Sequence, residues 1–268
     1  HRTAAIDAER GRFERELDAA RQRERARRRA EPTIADVLDR CRSRCGLWSD
    51  ADAAPVLGLG DDRWEPPVSS EPDTALWATV EQASSLVDVP IRLPLAHRQI
   101  IGICGPTEAA TAVARSLVLQ LAAGQGPATW RVLVAGRRGH AASGVWDWVG
   151  WLPHHDSVVE AGADSGRVDA GQVTAALGQR HDLIVVVEPD LLRHRTSWLR
   201  RALADHPSWT VVTVAEEADD LPASCTDVVE VGTTATTWTR RGNGAVSIRR
   251  VTAVGLSAGT AASAARAL

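Results

Sequence analysis

The chain has no Met and no Tyr, and only one Phe. It has no Lys either, so every one of its 31 basic residues is Arg. A missing Met, even at position 1, leads us to expect a segment of a longer protein. No run of 18 apolar residues occurs, so no stretch reads as a membrane-spanning helix. Residues 1–30 are charged and helical in pattern, which excludes a secretory signal peptide. Four Cys are too few and too scattered for a secreted disulfide framework, and a reducing compartment is expected. Cys104 and Cys225 lie among apolar or small residues and read as buried thiols. Cys41 and Cys45 form one C-x3-C pair without a second pair nearby, whereas a structural zinc needs four ligands. The formal charge is −3 and the pI about 6.3, which argues against general nucleic-acid binding.

What is present divides into two parts. Residues 1–48 read as helices and 49–268 as an α/β domain. "AIDAERGRFERELDAARQRERARRR" has no Pro, one Gly and a thin apolar stripe of Ile6, Phe13 and Leu17. Ten Arg against six acids give residues 1–30 about +4. The plain reading is a solvated helix face. The sharper one is a stalk near an anionic membrane surface. After Pro32, "TIADVLDRCRSRCGLW" predicts a second helix with Thr33 as N-cap, Asp36 closing a capping box and Gly46 at its end. "APVLGLGDDRWEPPVSSEP" reads as a connection carrying one short strand.

From about residue 88, apolar runs alternate with helical patterns. The runs are "VPIRLPL", "QIIGICG", "WRVLVAG", "DLIVVVEP", "WTVVTVAE" and "DVVEVG". The helical patterns are "EAATAVARSLVLQLA", "DAGQVTAALGQRH" and "DLLRHRTSWLRRALADH". Ile184–Val187 is apolar on both faces, as buried parallel strands are. The expectation is a mostly parallel, five-stranded α/β sheet. A C-terminal hairpin turns at Gly242-Asn243-Gly244, and a last helix is capped by Ser257.

"IIGICGPTEAATAVARSLVLQLA" has the strand–loop–helix layout of a phosphate-binding P-loop, G-x-x-x-x-G-K-[ST]. There, backbone N–H groups wrap the phosphates, a Lys reaches the β and γ phosphates, and a hydroxyl binds magnesium. Here the first Gly is Gly105 and the second is Ala110. Thr111 stands at the Lys position and Ala112 at the Ser/Thr position. Glu108 brings a negative charge; at about 4 Å and an effective dielectric of about 20, a like charge costs about 4 kcal/mol. In "LIVVVEPD", Glu188 takes the magnesium-side carboxylate place and Pro189 the general-base place, where it cannot polarise water. Asp190 falls one residue late and reads as a helix cap. Gly105, Thr107, Thr111, Glu188 and Asp190 therefore mark a vestigial nucleotide site with no catalytic residue.

Four stretches resemble the FtsK/SpoIIIE-type EccC/EssC ATPases of type VII secretion systems, in the degenerate region before their first intact ATPase domain. They are the helical lead-in ending at Leu47-Trp48, "APVLGLGDDRWEPPV", "VWDWVGWLPHHDS", and "LPASCTDVVEVG" with "GLSAGTAASAARAL". The resemblance implies a P-loop NTPase-like (RecA/FtsK-type) fold without its motifs. It places strand 209–214 between strands 98–103 and 183–187. It also implies a membrane-anchored parent with this part on the cytoplasmic face. The expected partners are downstream ATPase domains of the same chain and other membrane subunits of the secretion machine, with no nucleic acid. ATP and Mg belong to the parent's other domains, with no cofactor in this segment. Ring assembly is expected only in the full-length parent. The alternative is an active ATP-hydrolysing or DNA-translocating domain.

Other residues allow two readings each. Trp146, Trp148 and Trp151 read as core or as an interaction platform. His154, His155 and Asp156 read as loop residues or as metal or acid–base groups. Arg200 and Arg201 read as a solvated face or as arginine fingers. Arg240, Arg241, Arg249 and Arg250 read as a small basic patch.

Overall fold

The structure, a computed structural model, describes residues 2–49, 54–67, 74–137, 144–161, 181–186, 189–193, 197–205, 208–242 and 245–268. The helix expected over 169–180, Glu188 and the turn residues Asn243 and Gly244 lie outside them.

The 28-residue helix α1 (Arg2–Arg29) precedes α2 (Ile34–Ser43). Thr33 and Asp36 close the expected capping box: the Asp36 amide donates to Thr33 Oγ1 at 3.3 Å and the Thr33 amide to Asp36 Oδ2 at 2.7 Å. The left-handed residue ending α2 is Arg44 (φ 55°), two positions before the expected Gly46. Val37 and Cys41 of α2 are buried in the main core, while Cys45 is exposed, so the C-x3-C pair is split between core and solvent.

The stretch read as one short strand in a connection is an eight-residue strand, β1 (Val56–Arg63), with a partner on each side. Its "GLG" has a packing cause. A Cβ on Gly58 would lie 2.0 Å from the Thr252 carbonyl oxygen of the neighbouring strand. The short helix α3 (Thr74–Ala83) then leads into β2 (Ser85–Arg92). There follow β3 (Gln99–Cys104), α4 (Thr107–Gly124), β4 (Trp130–Arg137), a 3-10 turn at Asp147–Trp151, and β5 (His155–Ala161). After β6 (His181–Val186) come α5 (Asp190–Arg193), α6 (Trp198–Asp205), β7 (Trp209–Ala215) and β8 (Asp227–Val231). The hairpin β9 (Thr236–Gly242) and β10 (Ala245–Ala253) precedes α7 (Ala258–Ala267). Ser257 caps α7 as expected, accepting the Thr260 amide at 3.1 Å.

The ten strands of the described residues form one sheet, in the order β2-β1-β10-β9-β8-β3-β7-β6-β4-β5. β7 lies between β3 and β6, the order that the resemblance implies. The expectation of a mostly parallel, five-stranded sheet is corrected. The block from β8 to β5 is parallel and has six strands, while β2, β1, β10 and β9 extend it entirely by antiparallel pairs. Short connections carry the chain from β8 through β9 to β10, because adjacent antiparallel strands need no crossover helix, and β1 then pairs with β10 from the other end of the chain.

The core has two layers. α2, α4 and α7 cover one face, where Leu117, Val118, Leu119 and Leu121 of α4 are buried. Each such side chain contributes about 1.5–3 kcal/mol. On the other face of the parallel block, Leu191 and Leu192 of α5 and Leu199 and Leu203 of α6 meet Ile100, Ile184 and Val211. The carbonyls at the C-terminal end of α4 are met by Trp48. Its amide donates to Ala123 O at 2.9 Å and its indole to Ala122 O at 3.1 Å.

α1 lies along β2 with little apolar contact. Leu17, with Phe13, meets Val80 and Ala83 of α3. Hydrogen bonds from Arg27 and Arg28 hold the Glu24 carboxyl at a pKa of about 2. Arg28 and Arg249 both pair with Asp62 on β1.

Candidate functional site

In open α/β sheets ligands bind at the carboxyl ends of the parallel strands. At that end β3 stops at Cys104 and the chain turns at Gly105, with φ 134°. The Gly105 amide donates to Glu216 O at 3.1 Å, and a Cβ there would sit 2.3 Å from Val231 O. Only glycine fits this wedge. Helix α4 begins at Thr107, two residues on. Between Gly105 and the helix, Pro106 has no N–H to offer.

The side chains of this turn are engaged elsewhere. Thr107 Oγ1 donates to Glu216 Oε1 at 2.7 Å. Thr111, at the Lys position, is buried and donates its hydroxyl to Thr107 O at 2.6 Å. Ala112 accepts the Leu256 amide at 2.8 Å on its carbonyl. Glu108 pairs with the buried Arg115 at 2.8 Å, and that guanidinium holds the Glu108 carboxyl below its ordinary range. Arg115 also donates to Leu256 O at 3.3 Å, while its Nε has no partner.

The facing loop after β7 is acidic, with Glu216, Glu217, Asp219 and Asp220 exposed. Arg193 reaches into it, donating to Asp219 O at 2.7 Å and pairing with Asp220 at 3.2 Å. Asp190 is the first residue of α5 and pairs with Arg193 at 3.4 Å. The structure thus brings Gly105, Thr107 and Thr111 together at one turn, where Arg115 and Arg193 are both committed to carboxylates. Beside this turn, and not foreseen from the sequence, lies a cavity of about 450 Å³ bounded by Glu108, Ala112, Val231, Thr234 and Leu256.

Of the tryptophans considered as a platform, Trp146 and Trp148 are buried, their rings 6.1 Å apart. Trp151 is 56% exposed, under the Arg266 guanidinium at 4.8 Å. Only Trp151 is thus available to a partner. His154 is buried and stacks on Trp130 at 4.5 Å, with Nε2 bound to Gln125 O at 2.7 Å. Burial pushes its pKa down. The Asp156 side chain lies outside the described residues.

Arg200 bonds Leu192 O at 3.3 Å, and Arg201 is exposed. Strand alternation splits the supposed basic patch between two faces. Arg240 and Arg249 share the face that holds Asp227 and Trp238, while Arg241 and Arg250 are exposed on the other. All four cysteines are free. Burial pushes the thiols of Cys41 and Cys104 up to about 11 and that of Cys225 up to about 12.

No family model matches the chain. Over 121 residues it is 32% identical to the ESX-4 secretion system protein EccC4 of Mycobacterium tuberculosis, a match covering 44% of this chain and 9% of that protein. In fold it is similar to the cytoplasmic domain of the type VII secretion ATPase EccC of Thermomonospora curvata. That alignment has a TM-score of 0.50 and 16% identity, over 83% of this chain and 30% of the other. A further alignment, to ATPases 2 and 3 of EssC from Geobacillus thermodenitrificans, has a TM-score of 0.48 and 9% identity over 81% of this chain and 48% of the other. The chain thus spans less than half the length of each of these proteins, and 9% of EccC4. In sequence the chain is thus similar to a part of EccC4, and in fold to the cytoplasmic domain of a type VII secretion ATPase EccC.

Proposed function

We propose that this chain is a non-catalytic, ATPase-like module of a type VII secretion motor, supporting assembly or regulation of protein export. The reading rests on the two-residue passage from Gly105 into α4. A phosphate cradle needs successive free backbone N–H groups, and here the Gly105 amide is taken by Glu216 O at 3.1 Å, Pro106 has none, and the Ala110 amide bonds Pro106 O at 2.9 Å. Thr111 and Ala112 offer neither a cation nor a magnesium-binding hydroxyl. The acidic loop at Glu216–Asp220 adds charge that repels phosphate.

In this reading the parent is anchored in the cell membrane and the segment lies at its cytoplasmic face. Its partners are the parent's own ATPase domains, which carry ATP and Mg, and other membrane subunits. Isothermal titration of the purified chain with ATP and magnesium tests the central point. Heat corresponding to a Kd tighter than about 100 μM, or about 5.5 kcal/mol, would overturn it. Steady hydrolysis above a buffer control would favour the active-motor alternative.

A further inference from the structure

β2 is a terminal strand of the sheet, so one of its edges has no strand partner among the described residues. Such an edge is normally covered or charged. Three arginines of α1, spaced one turn apart, meet it. Arg21 donates from Nε to Ser85 O at 3.0 Å, Arg25 to Val87 O at 3.0 Å, and Arg29 to Asp88 O at 2.8 Å. A helical repeat of four residues covers about 6 Å, close to the advance of two strand residues. Helix and strand are therefore in step from Ser85 to Val87, and the next contact, at Asp88, falls one strand residue on.

The contact is keyed to an irregularity in β2. Gly60 faces Val89 and Asp62 faces Leu86, so two residues, Val87 and Asp88, oppose the single Asp61. This is a β-bulge, with Asp88 in the left-handed region at φ 53°. Two of the three arginine bonds go to the two bulged residues. The Asp88 carboxylate adds pairs to Arg29 at 3.4 Å and Arg25 at 3.8 Å.

The apolar part of the contact is small. Among the described residues of α1, Leu17 alone is fully buried. What holds the C-terminal half of α1 is charge-assisted bonding at a partly exposed surface, which salt screens. Most of the body is instead held by apolar burial, which salt does not weaken. The two parts therefore differ in the physics that fixes them.

We infer that α1 is a releasable strap over the edge of β2, locked at the Val87–Asp88 bulge and opened by ionic competition for Arg21, Arg25 and Arg29. Opening uncovers the terminal strand of the sheet while the body stays folded. This inference is independent of whether the turn at Gly105 binds nucleotide.

Hydrogen–deuterium exchange on the whole chain tests it, at about 0.05 M and about 0.5 M NaCl, where the Debye length falls from roughly 14 Å to roughly 4 Å. The expected result is that amides of residues 15–29 and of 85–88 exchange at least about tenfold faster at high salt, while those of β3 and α4 are unchanged. The same acceleration is expected at low salt in the R21Q/R25Q/R29Q chain. Unchanged exchange in α1 at high salt would overturn the strap. So would opening of α4 together with α1, because α1 would then be an integral part of the fold.

Discussion

The Leu256 amide donates to the Ala112 carbonyl at 2.8 Å, binding the link between β10 and α7 to the first turns of α4. Gly255 presses on the same residue: a Cβ there would lie 2.8 Å from Ala112 Cβ. Ala112 is where a P-loop carries its magnesium-binding hydroxyl.

Restoring the motif letters should therefore not restore the function. The double substitution T111K/A112S puts a long cation at a buried position and an added oxygen at a packed one. A stability loss of about 1–3 kcal/mol is expected from overpacking, read as a lower urea midpoint. ATP titration should show no gain. A Kd tightened to micromolar values would mean that the turn can reopen into a loop.

Arg115 should matter more for its volume than for its charge. Its side chain is 2% exposed, but its partner Glu108 is 76% exposed and can return to water. R115M keeps the volume and should cost about 1 kcal/mol, mainly through the lost bond to Leu256 O. R115A leaves a cavity and should cost about 2–4 kcal/mol. Equal losses in urea denaturation would show that the charge, and not the packing, is what counts.

His154 should make the chain less stable in mild acid. Burial against Trp130 lowers its folded-state pKa below the unfolded value of about 6.5. The unfolded chain then binds a proton that the folded chain refuses. This contribution is complete above about pH 6.5 and shrinks as pH falls below it. Denaturation midpoints at several pH values between neutral and mildly acidic should show the decline. H154Q, which can still donate to Gln125 O, should flatten it. An unchanged slope in that variant would remove His154 as the source.

The cap at Thr33 offers a local test. T33A removes the acceptor for the Asp36 amide and should cost about 1 kcal/mol. Because α2 carries Val37 and Cys41 into the main core, the loss should appear in the global unfolding curve. A change confined to α2 helicity, with the global midpoint unmoved, would mean that α2 frays separately.

Self-association should be weak. α1 uses Phe13 and Leu17 against α3 within the chain, leaving little apolar stripe for a coiled coil. Sedimentation at micromolar concentration should give a monomer. A stable hexamer without nucleotide would show that the α/β body carries ring contacts of its own.

Local features of the fold were legible in the sequence. The capping box at Thr33 and Asp36, the Ser257 cap and the buried runs of β3, β6 and β7 depend on neighbours a few positions apart. Helix caps, side-chain periodicity and residue chemistry are fixed at that range. β5 was missed because "HDSVVEA" mixes polar and apolar residues without a clear period. The hydroxyls and acids around Thr107 and Glu216 were not read as a pair, since 109 positions separate them.

Tertiary structure decided the rest, because hydrogen-bond partners across a sheet or between a helix and a strand depend on which edges meet. Composition showed ten arginines in the first 30 residues but not that Arg21, Arg25 and Arg29 would meet the carbonyls of a bulged terminal strand. The letters showed a P-loop without its lysine. They did not show that Gly255 packs on Ala112 and Gly105 on Val231. Sequence determined by itself which segments bury apolar faces and where α2 and α7 are capped, since both follow from residue identity and spacing. The fold decided where α4 starts and which carbonyls the α1 arginines bind, since both need backbones far apart in the chain to come within hydrogen-bond reach.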